Sequence, residues 1–136
     1  MNKTKIILII ASSIDGRIAL PSGGNKDIGS FEDKKLLNKS LLEVDATIFG
    51  SGTLKAHKST FLVKEYFEEN HFAISSKQPI SIVAGNSKGF SNRWLYFKQP
   101  IKRWIVTNKS NSNEFPKENG YEKKLVIEKG WEDTLS

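Results

Sequence analysis

Asp45-Ala46-Thr47-Ile48-Phe49-Gly50-Ser51-Gly52-Thr53 is the stretch on which the fold turns. Ala46 to Phe49 is short and apolar, as suits a strand buried in a sheet. Two glycines and two hydroxyl side chains follow at once. Glycine lets a backbone turn tightly and approach a ligand closely, and a helix starting there presents free N–H groups to an anion. The Thr53 hydroxyl adds a donor. The combination suits a pyrophosphate, but spacing alone leaves the point open. The stretch is neither a full dinucleotide fingerprint nor a P-loop, and an ordinary glycine turn between strand and helix explains the same residues.

Upstream, Ser30 with Asp33 three residues later predicts a capped helix start. Leu37, Leu41 and Val44 fall at i, i+4 and i+7 on one apolar stripe. Pro21 to Asn25 is a loop by composition. Ile6-Ile7-Leu8-Ile9-Ile10-Ala11 is continuous and apolar on both faces, which predicts a central strand covered on both sides. A turn at Asp15-Gly16 follows it. Downstream, Leu54 to Lys77 mixes charges with aromatics and reads as loop plus a short helix. Pro79 to Ala84, Ile101 to Thr107 and Leu125 to Ile127 are further strands, the first of them followed by the turn residues Gly85-Asn86-Ser87. Asn108 to Gly120 is a polar connection, and Gly130 to Asp133 reads as the start of a helix. Strands alternating with helical or loop crossovers predict an α/β sheet. Residues 1–136 read as a single domain, without repeat or linker.

Composition narrows the function classes. The net charge is +6, from 21 Lys+Arg against 15 Asp+Glu, but the basic residues are scattered in ones and twos. Such a surface favours phosphate-bearing ligands or simple solubility, and lacks the basic block expected of nucleic-acid binding. No cysteine is present, which excludes disulfides, thiolate metal sites and cysteine nucleophiles. The apolar run at Ile6–Ala11 is shorter than the roughly 7–15 residues of a secretion-signal core, and no segment reaches membrane-spanning length. A cytoplasmic protein without membrane association is expected.

Other candidate residues are fewer. Thr107, Asn108 and Lys109 gather a hydroxyl, an amide and a charge at the end of a strand, where open α/β sheets bind ligands; a solvated loop start reads equally well. His57 and His71 lack a third ligand at zinc spacing, so no metal is expected. No nucleophile-elbow pattern anchors hydrolase chemistry. Trp94, Trp104 and Trp131 are simplest as packing residues.

Several pieces occur together in a recognisable order. Ile14-Asp15-Gly16-Arg17-Ile18-Ala19, after Ala11-Ser12-Ser13, resembles the opening signature of the bacterial riboflavin-biosynthesis reductase domain. Asp45 to Thr53 is similar to that family's second signature. Gln78-Pro79-Ile80, and Arg103-Trp104-Ile105-Val106-Thr107 after Gln99-Pro100-Ile101, resemble one branch of it. The resemblance implies a dihydrofolate-reductase-like α/β fold with a mixed, mostly parallel central sheet flanked by helices. It also implies NADPH-dependent reduction of the ribose of 5-amino-6-(5-phosphoribosylamino)uracil, or a close pyrimidine analogue, to the ribityl form. The cofactor would carry the hydride and the protein would position it. The family's cofactor contacts map onto Ala11 and Thr53; with the glycine turn and the strand end read above, the candidate cofactor-binding residues are Ala11, Gly50, Ser51, Gly52, Thr53 and Thr107. The substrate-binding residues are Asn25 and Lys64, with Lys64 standing where the family has an arginine for the substrate phosphate. No catalytic residue is singled out.

Departures accompany the match. Leu41 occupies a position where many members have a substrate-binding arginine, Asp27 one where a tryptophan flanks the cofactor, and His57-Lys58 replace an aspartate pair. The family pattern also continues past Trp131 into a helix, a strand, a Gly-Gly turn and closing strands, so a sheet truncated and incomplete at the C-terminal end is expected. Alternatives are a non-catalytic remnant or interaction module keeping the fold, and a pteridine- or folate-type reductase. A homodimer stays open.

Overall fold

The computed structural model describes residues 3–18, 30–68, 71–109 and 120–128. Helix α1 (Phe31–Leu42) begins as its sequence dictates. The Ser30 hydroxyl accepts from the Asp33 amide, and the Asp33 carboxylate accepts from the Ser30 amide. Glu32 and Asp33 lie in its first turn and Lys39 in its last, each favourable to the helix dipole. Leu41 is buried and Leu37 half-buried, whereas Val44 lies beyond the helix end.

Strand β1 (Ala46–Gly50) runs directly into the short helix α2 (Ser51–His57). An antiparallel hairpin follows, β2 (Lys64–Glu68) with β3 (His71–Ile74). Then come β4 (Ile80–Ala84), a 3₁₀ turn at Leu95–Lys98, β5 (Arg103–Asn108) and β6 (Lys123–Ile127). The order β1-β4-β5-β6 makes a four-stranded sheet whose pairs are all parallel. The register runs Gly50↔Ala84, Ala84↔Val106 and Val106↔Leu125, so the carboxyl ends of the strands share one edge of the sheet. The result is a mixed α/β architecture of the dihydrofolate-reductase-like kind, with a mostly parallel central sheet.

Core packing sits on one side of β4. Leu54 of α2, Val83, Tyr96 and Ile101 are buried together, with Phe49, Leu62, Phe90, Trp94, Phe97 and Tyr121 packed against them. Ser81 is the polar residue buried in β4, and its hydroxyl meets the Tyr96 hydroxyl at 3.0 Å. That pairing matters because a buried hydroxyl without a partner costs about 1–3 kcal/mol. Rings Phe49–Tyr96 and Tyr96–Phe97 meet edge to face at 6.2 and 5.1 Å, a favourable quadrupole arrangement.

Three sequence expectations are corrected. Ala46–Phe49 forms its strand but is not buried: exposed and half-buried residues alternate along it, and Ile48 is 66% exposed. The run Ile6–Ala11 forms no strand: its side chains are exposed, with Leu8 81% exposed. An apolar run specifies that a segment wants burial, not which backbone will receive it, and no described strand pairs with this one. The region Leu54–Lys77 is not loop plus helix alone; besides α2 it holds the β2–β3 hairpin. Lys64, Glu65 and Tyr66 are half-buried, exposed and half-buried in turn, which is the strand period, but the charged and aromatic residues come in adjacent pairs, so the composition hid it. The expectations for Pro21–Asn25, Gly130–Asp133 and most of Asn108–Gly120 lie outside the described residues.

Candidate functional site

The fold divides the residues singled out from sequence between two places. The first is the carboxyl edge of the parallel sheet. Gly50 ends β1 and is the N-cap of α2 in an extended conformation, without a side-chain cap. Ser51, Gly52 and Thr53 form the first turn of α2, which contains no acidic residue. No carboxylate in that turn competes for the helix's first amides, as an anion requires. A Cβ built on Gly50 or Gly52 meets nothing within 4 Å, and Gly52 and Thr53 are exposed. The turn is open to a ligand.

Gly85 completes this edge, and its role was missed. It directly follows β4, has a φ of +131°, and donates its amide to Val106 O at 2.9 Å. A Cβ there would sit 2.6 Å from Ser51 Oγ and 3.0 Å from Ser51 Cβ. Only glycine allows the end of β4 to lie this close to the start of α2. The signal was present in the sequence as a second strand ending in glycine, but its contact with Ser51 needs the parallel register.

Thr107 lies one position beyond Val106 in β5, next to Val126 of β6. It is fully buried, and its hydroxyl has no hydrogen-bond partner. An orphaned donor behind the carboxyl edge is the kind of group that a bound polar molecule satisfies. Ala11 is exposed and outside any element. Asn25 lies outside the described residues.

The second place is an open groove of about 480 Å³ between α1 and β2, lined by Glu32, Lys35, Leu36, Asn38, Lys39, Leu42, Lys64 and Tyr66. Lys64 belongs here. Its ammonium lies 4.0 Å from the centre of the Phe72 ring, a cation–π contact that steadies a flexible side chain. Its backbone is held too: the Asn38 amide donates to Lys64 O at 2.7 Å and accepts from Lys64 N at 2.7 Å. Lys35 is engaged with Glu32 at 3.2 Å.

Asn38 is one of three side-chain amides that treat the segment Thr60–Lys64 as if they were a neighbouring strand. Gln78 accepts from Val63 N and donates to Val63 O, both at 2.9 Å, and also donates to Ser75 O at 2.8 Å. Gln99 accepts from Thr60 N at 2.9 Å and donates to Thr60 O at 2.7 Å. Both glutamines precede proline, which holds the preceding residue extended. The two Gln-Pro-Ile triplets are thus one device used twice, a use that sequence spacing alone did not reveal. Arg103 adds a further cap, donating from Nε to Tyr96 O at 3.0 Å and from Nη2 to Gln99 O.

His57 ends α2 and is exposed. Among the described residues, no group of three or more His, Asp or Glu side chains is placed to hold a metal ion. Burial pushes the Tyr96 and Tyr121 phenols up, and Arg103 opposes both shifts. Neither phenol belongs to the open turn.

The carboxyl edge of a parallel α/β sheet is where open sheets of this kind take their ligands. The family model of the RibD C-terminal domain matches residues 4–127, and the chain belongs to this family of riboflavin-biosynthesis reductase type. No curated protein matches the chain. No helix among the described residues is long and apolar enough to cross a membrane.

Proposed function

We propose that the chain is an NADPH-dependent reductase acting on the ribose of a phosphoribosylamino-pyrimidine, 5-amino-6-(5-phosphoribosylamino)uracil or a close analogue. The observation that carries the reading is the open turn Gly50-Ser51-Gly52-Thr53, uncapped and free of acidic residues, within a chain of the reductase family. The residues present fit a dinucleotide diphosphate. The amides of the first α2 turn would hold its oxygens, the Thr53 hydroxyl would add a donor, and Gly85 keeps the floor of the turn free of side chain. The Thr107 hydroxyl, buried in β5 without a hydrogen-bond partner, is a further candidate donor towards the carboxyl end of the sheet. When bound, the cofactor supplies the hydride.

The chain's own work is positional. Lys64, on a strand backbone clamped by Asn38, offers a fixed positive charge to the substrate phosphate. Lysine does so as a point charge rather than as a bidentate fork. Asn25 would add a hydrogen bond to the substrate. A single domain, a cytoplasmic setting and independence from nucleic acid and membranes belong to the same proposal. The exposed run Ile6–Ile10 favours a second reading, a non-catalytic interaction module that keeps the fold.

Calorimetry with NADPH, followed by turnover of the phosphoribosylamino-pyrimidine against dihydrofolate, tests the proposal. Binding with turnover of the pyrimidine alone supports it. Turnover of dihydrofolate would assign a folate-type reductase instead, and no affinity for NADPH at high micromolar protein would favour the interaction module.

A further inference from the structure

Three rings meet in a row where α1 faces the hairpin. Phe31 opens α1, Tyr66 belongs to β2 and Phe72 to β3. Phe31 and Tyr66 meet edge to face at 5.5 Å, and Tyr66 and Phe72 meet tilted at 5.8 Å. A lysine stands at each end of the row. Lys35 lies 5.2 Å from the centre of the Phe31 ring, and Lys64 lies 4.0 Å from that of Phe72. The hairpin register explains the second contact. Tyr66 is directly opposite Phe72 and Lys64 is opposite Ile74, so Phe72 is the diagonal neighbour of Lys64 on one face of the hairpin. At that spacing a long side chain reaches an aromatic one. Phe72 is not among the rings packed on the buried core, which gather around Tyr96.

We propose that Phe72 is a positioning residue of the substrate site: its ring fixes the Lys64 ammonium for the substrate phosphate, and so sets the preference for a phosphorylated over a dephosphorylated ligand. The inference rests on the reductase reading above and deepens it. An ammonium is a point charge on a flexible stem, so its direction has to be imposed by its neighbours. Asn38 does half of this. It holds Lys64 N and Lys64 O at 2.7 Å each, which fixes the backbone and leaves the side-chain torsions free. The Phe72 ring supplies the other half. Tyr66 holds that ring from β2, and Phe31 holds Tyr66 from α1, so the ammonium is tied through three rings to the same helix that clamps its backbone.

A ring suits this task better than a carboxylate. A carboxylate at the same place would hold the ammonium as firmly, but it would cancel the charge that a phosphate has to meet. The ring face attracts the cation and leaves its charge intact. Glu32, the carboxylate that lines the groove, is engaged by Lys35 at 3.2 Å. With Lys35, Lys39 and Lys64 set against Glu32, the lining of the groove keeps a positive balance.

Calorimetry with two ligands tests the proposal. The phosphoribosylamino-pyrimidine and its dephosphorylated counterpart are titrated into protein saturated with NADP+, so that no turnover occurs. The proteins are the unmodified chain, Phe72→Leu, Phe72→Tyr, Lys64→Ala and Phe72→Leu/Lys64→Ala, each checked for folding by circular dichroism. Phe72→Leu should lower the preference for the phosphorylated ligand by about two- to fivefold, the share that one cation–π contact carries at a surface site. Affinity for the dephosphorylated ligand should hold. Phe72→Tyr keeps a ring and should keep the preference. In the Lys64→Ala background Phe72→Leu should change nothing further, because the group through which it acts is gone. A Phe72→Leu protein that weakens both ligands alike, or that keeps the full preference, overturns the positioning role, as does an effect that persists without Lys64. Proton spectra of the free protein read the contact without any ligand. The Phe72 ring current should shift the Lys64 ε-methylene protons upfield, and Phe72→Leu should remove the shift; unshifted protons in the unmodified chain overturn the contact. Failure of the parent reading is distinct. A chain that binds NADP+ and takes both pyrimidines equally removes Lys64 from phosphate recognition and this proposal with it, yet leaves the reductase reading standing. A chain with no affinity for NADP+ or for either pyrimidine removes both.

Discussion

Replacing Gly85 by alanine tests the geometry of the carboxyl edge in quantitative terms. The new methyl meets two obstacles. A φ of +131° is a backbone conformation that L side chains rarely adopt, and holding one there costs about 1–3 kcal/mol. The methyl would also sit 2.6 Å from Ser51 Oγ and 3.0 Å from Ser51 Cβ. The hydroxyl can rotate away, but Cβ cannot without moving α2, and overpacking of this kind costs about 1–3 kcal/mol. The sum is a loss of about 2–6 kcal/mol, readable as a lower midpoint in urea denaturation with an unchanged slope. The Ser51→Gly variant divides the two parts. In the double variant the steric share is relieved and the backbone share remains, so the coupling between the two sites should be about 1–3 kcal/mol in the direction of rescue. A Gly85→Ala loss below about 0.5 kcal/mol, the range of an ordinary surface change, refutes the close approach of β4 to α2. Absence of coupling with Ser51 refutes the contact itself.

The side-chain clamps, the helix cap and the buried phenols each set a further measurable outcome. Gln78→Ala and Gln99→Ala each strip the partners from both backbone groups of Val63 or Thr60, and each should cost about 1–3 kcal/mol by denaturation; losses near zero would mean that water replaces the clamp. Ser30→Ala should cost about 0.5–2 kcal/mol by removing the hydroxyl half of the capping box, with the loss of helix visible by circular dichroism. Stability should also fall in strong base. Tyr96 and Tyr121 have folded pKa values raised by burial, so their contribution is fully present below the unfolded value of about 10. It is lost as pH rises from there towards the raised folded values, because the unfolded chain then ionises first. Midpoints that hold steady between pH 9 and 11 would contradict the burial of these phenols. Lys64→Ala should raise KM for the phosphorylated substrate by at least tenfold, with NADPH affinity unchanged; an equal loss of NADPH affinity would assign Lys64 to the cofactor instead.

Much of this architecture was legible in local chemistry. The Ser30–Asp33 box and the passage of Phe49 through Gly50 into α2 depend on neighbours in sequence and form where expected, and the strands expected over Pro79–Ala84, Ile101–Thr107 and Leu125–Ile127 form with starts shifted by one or two residues. What could not be read was pairing. Ile6–Ala11 has every property of a buried strand except a described partner, and strand propensity says nothing about which edge is available. The β2–β3 hairpin escaped because its half-polar composition resembles a loop when read without its period. At the site, the glycine turn was found from its own residues, whereas Gly85, Asn38, Gln78 and Gln99 act across 15 to 39 positions of chain. Their residue types were visible, but their partners were set by the fold. Thr107 was selected for its place at the end of a strand, and its full burial depends on what packs over β5.

The central claim is that the amides following Phe49 hold the diphosphate of a nicotinamide dinucleotide. Backbone amide spectra of the labelled protein, recorded through a titration with NADPH, address it residue by residue. Saturable shifts at Ser51, Gly52 and Thr53, abolished by Gly52→Asp in a protein whose denaturation midpoint is unchanged, are the predicted result. Binding that leaves those three amides unmoved, or Gly52→Asp protein that binds as tightly as the original, would contradict it.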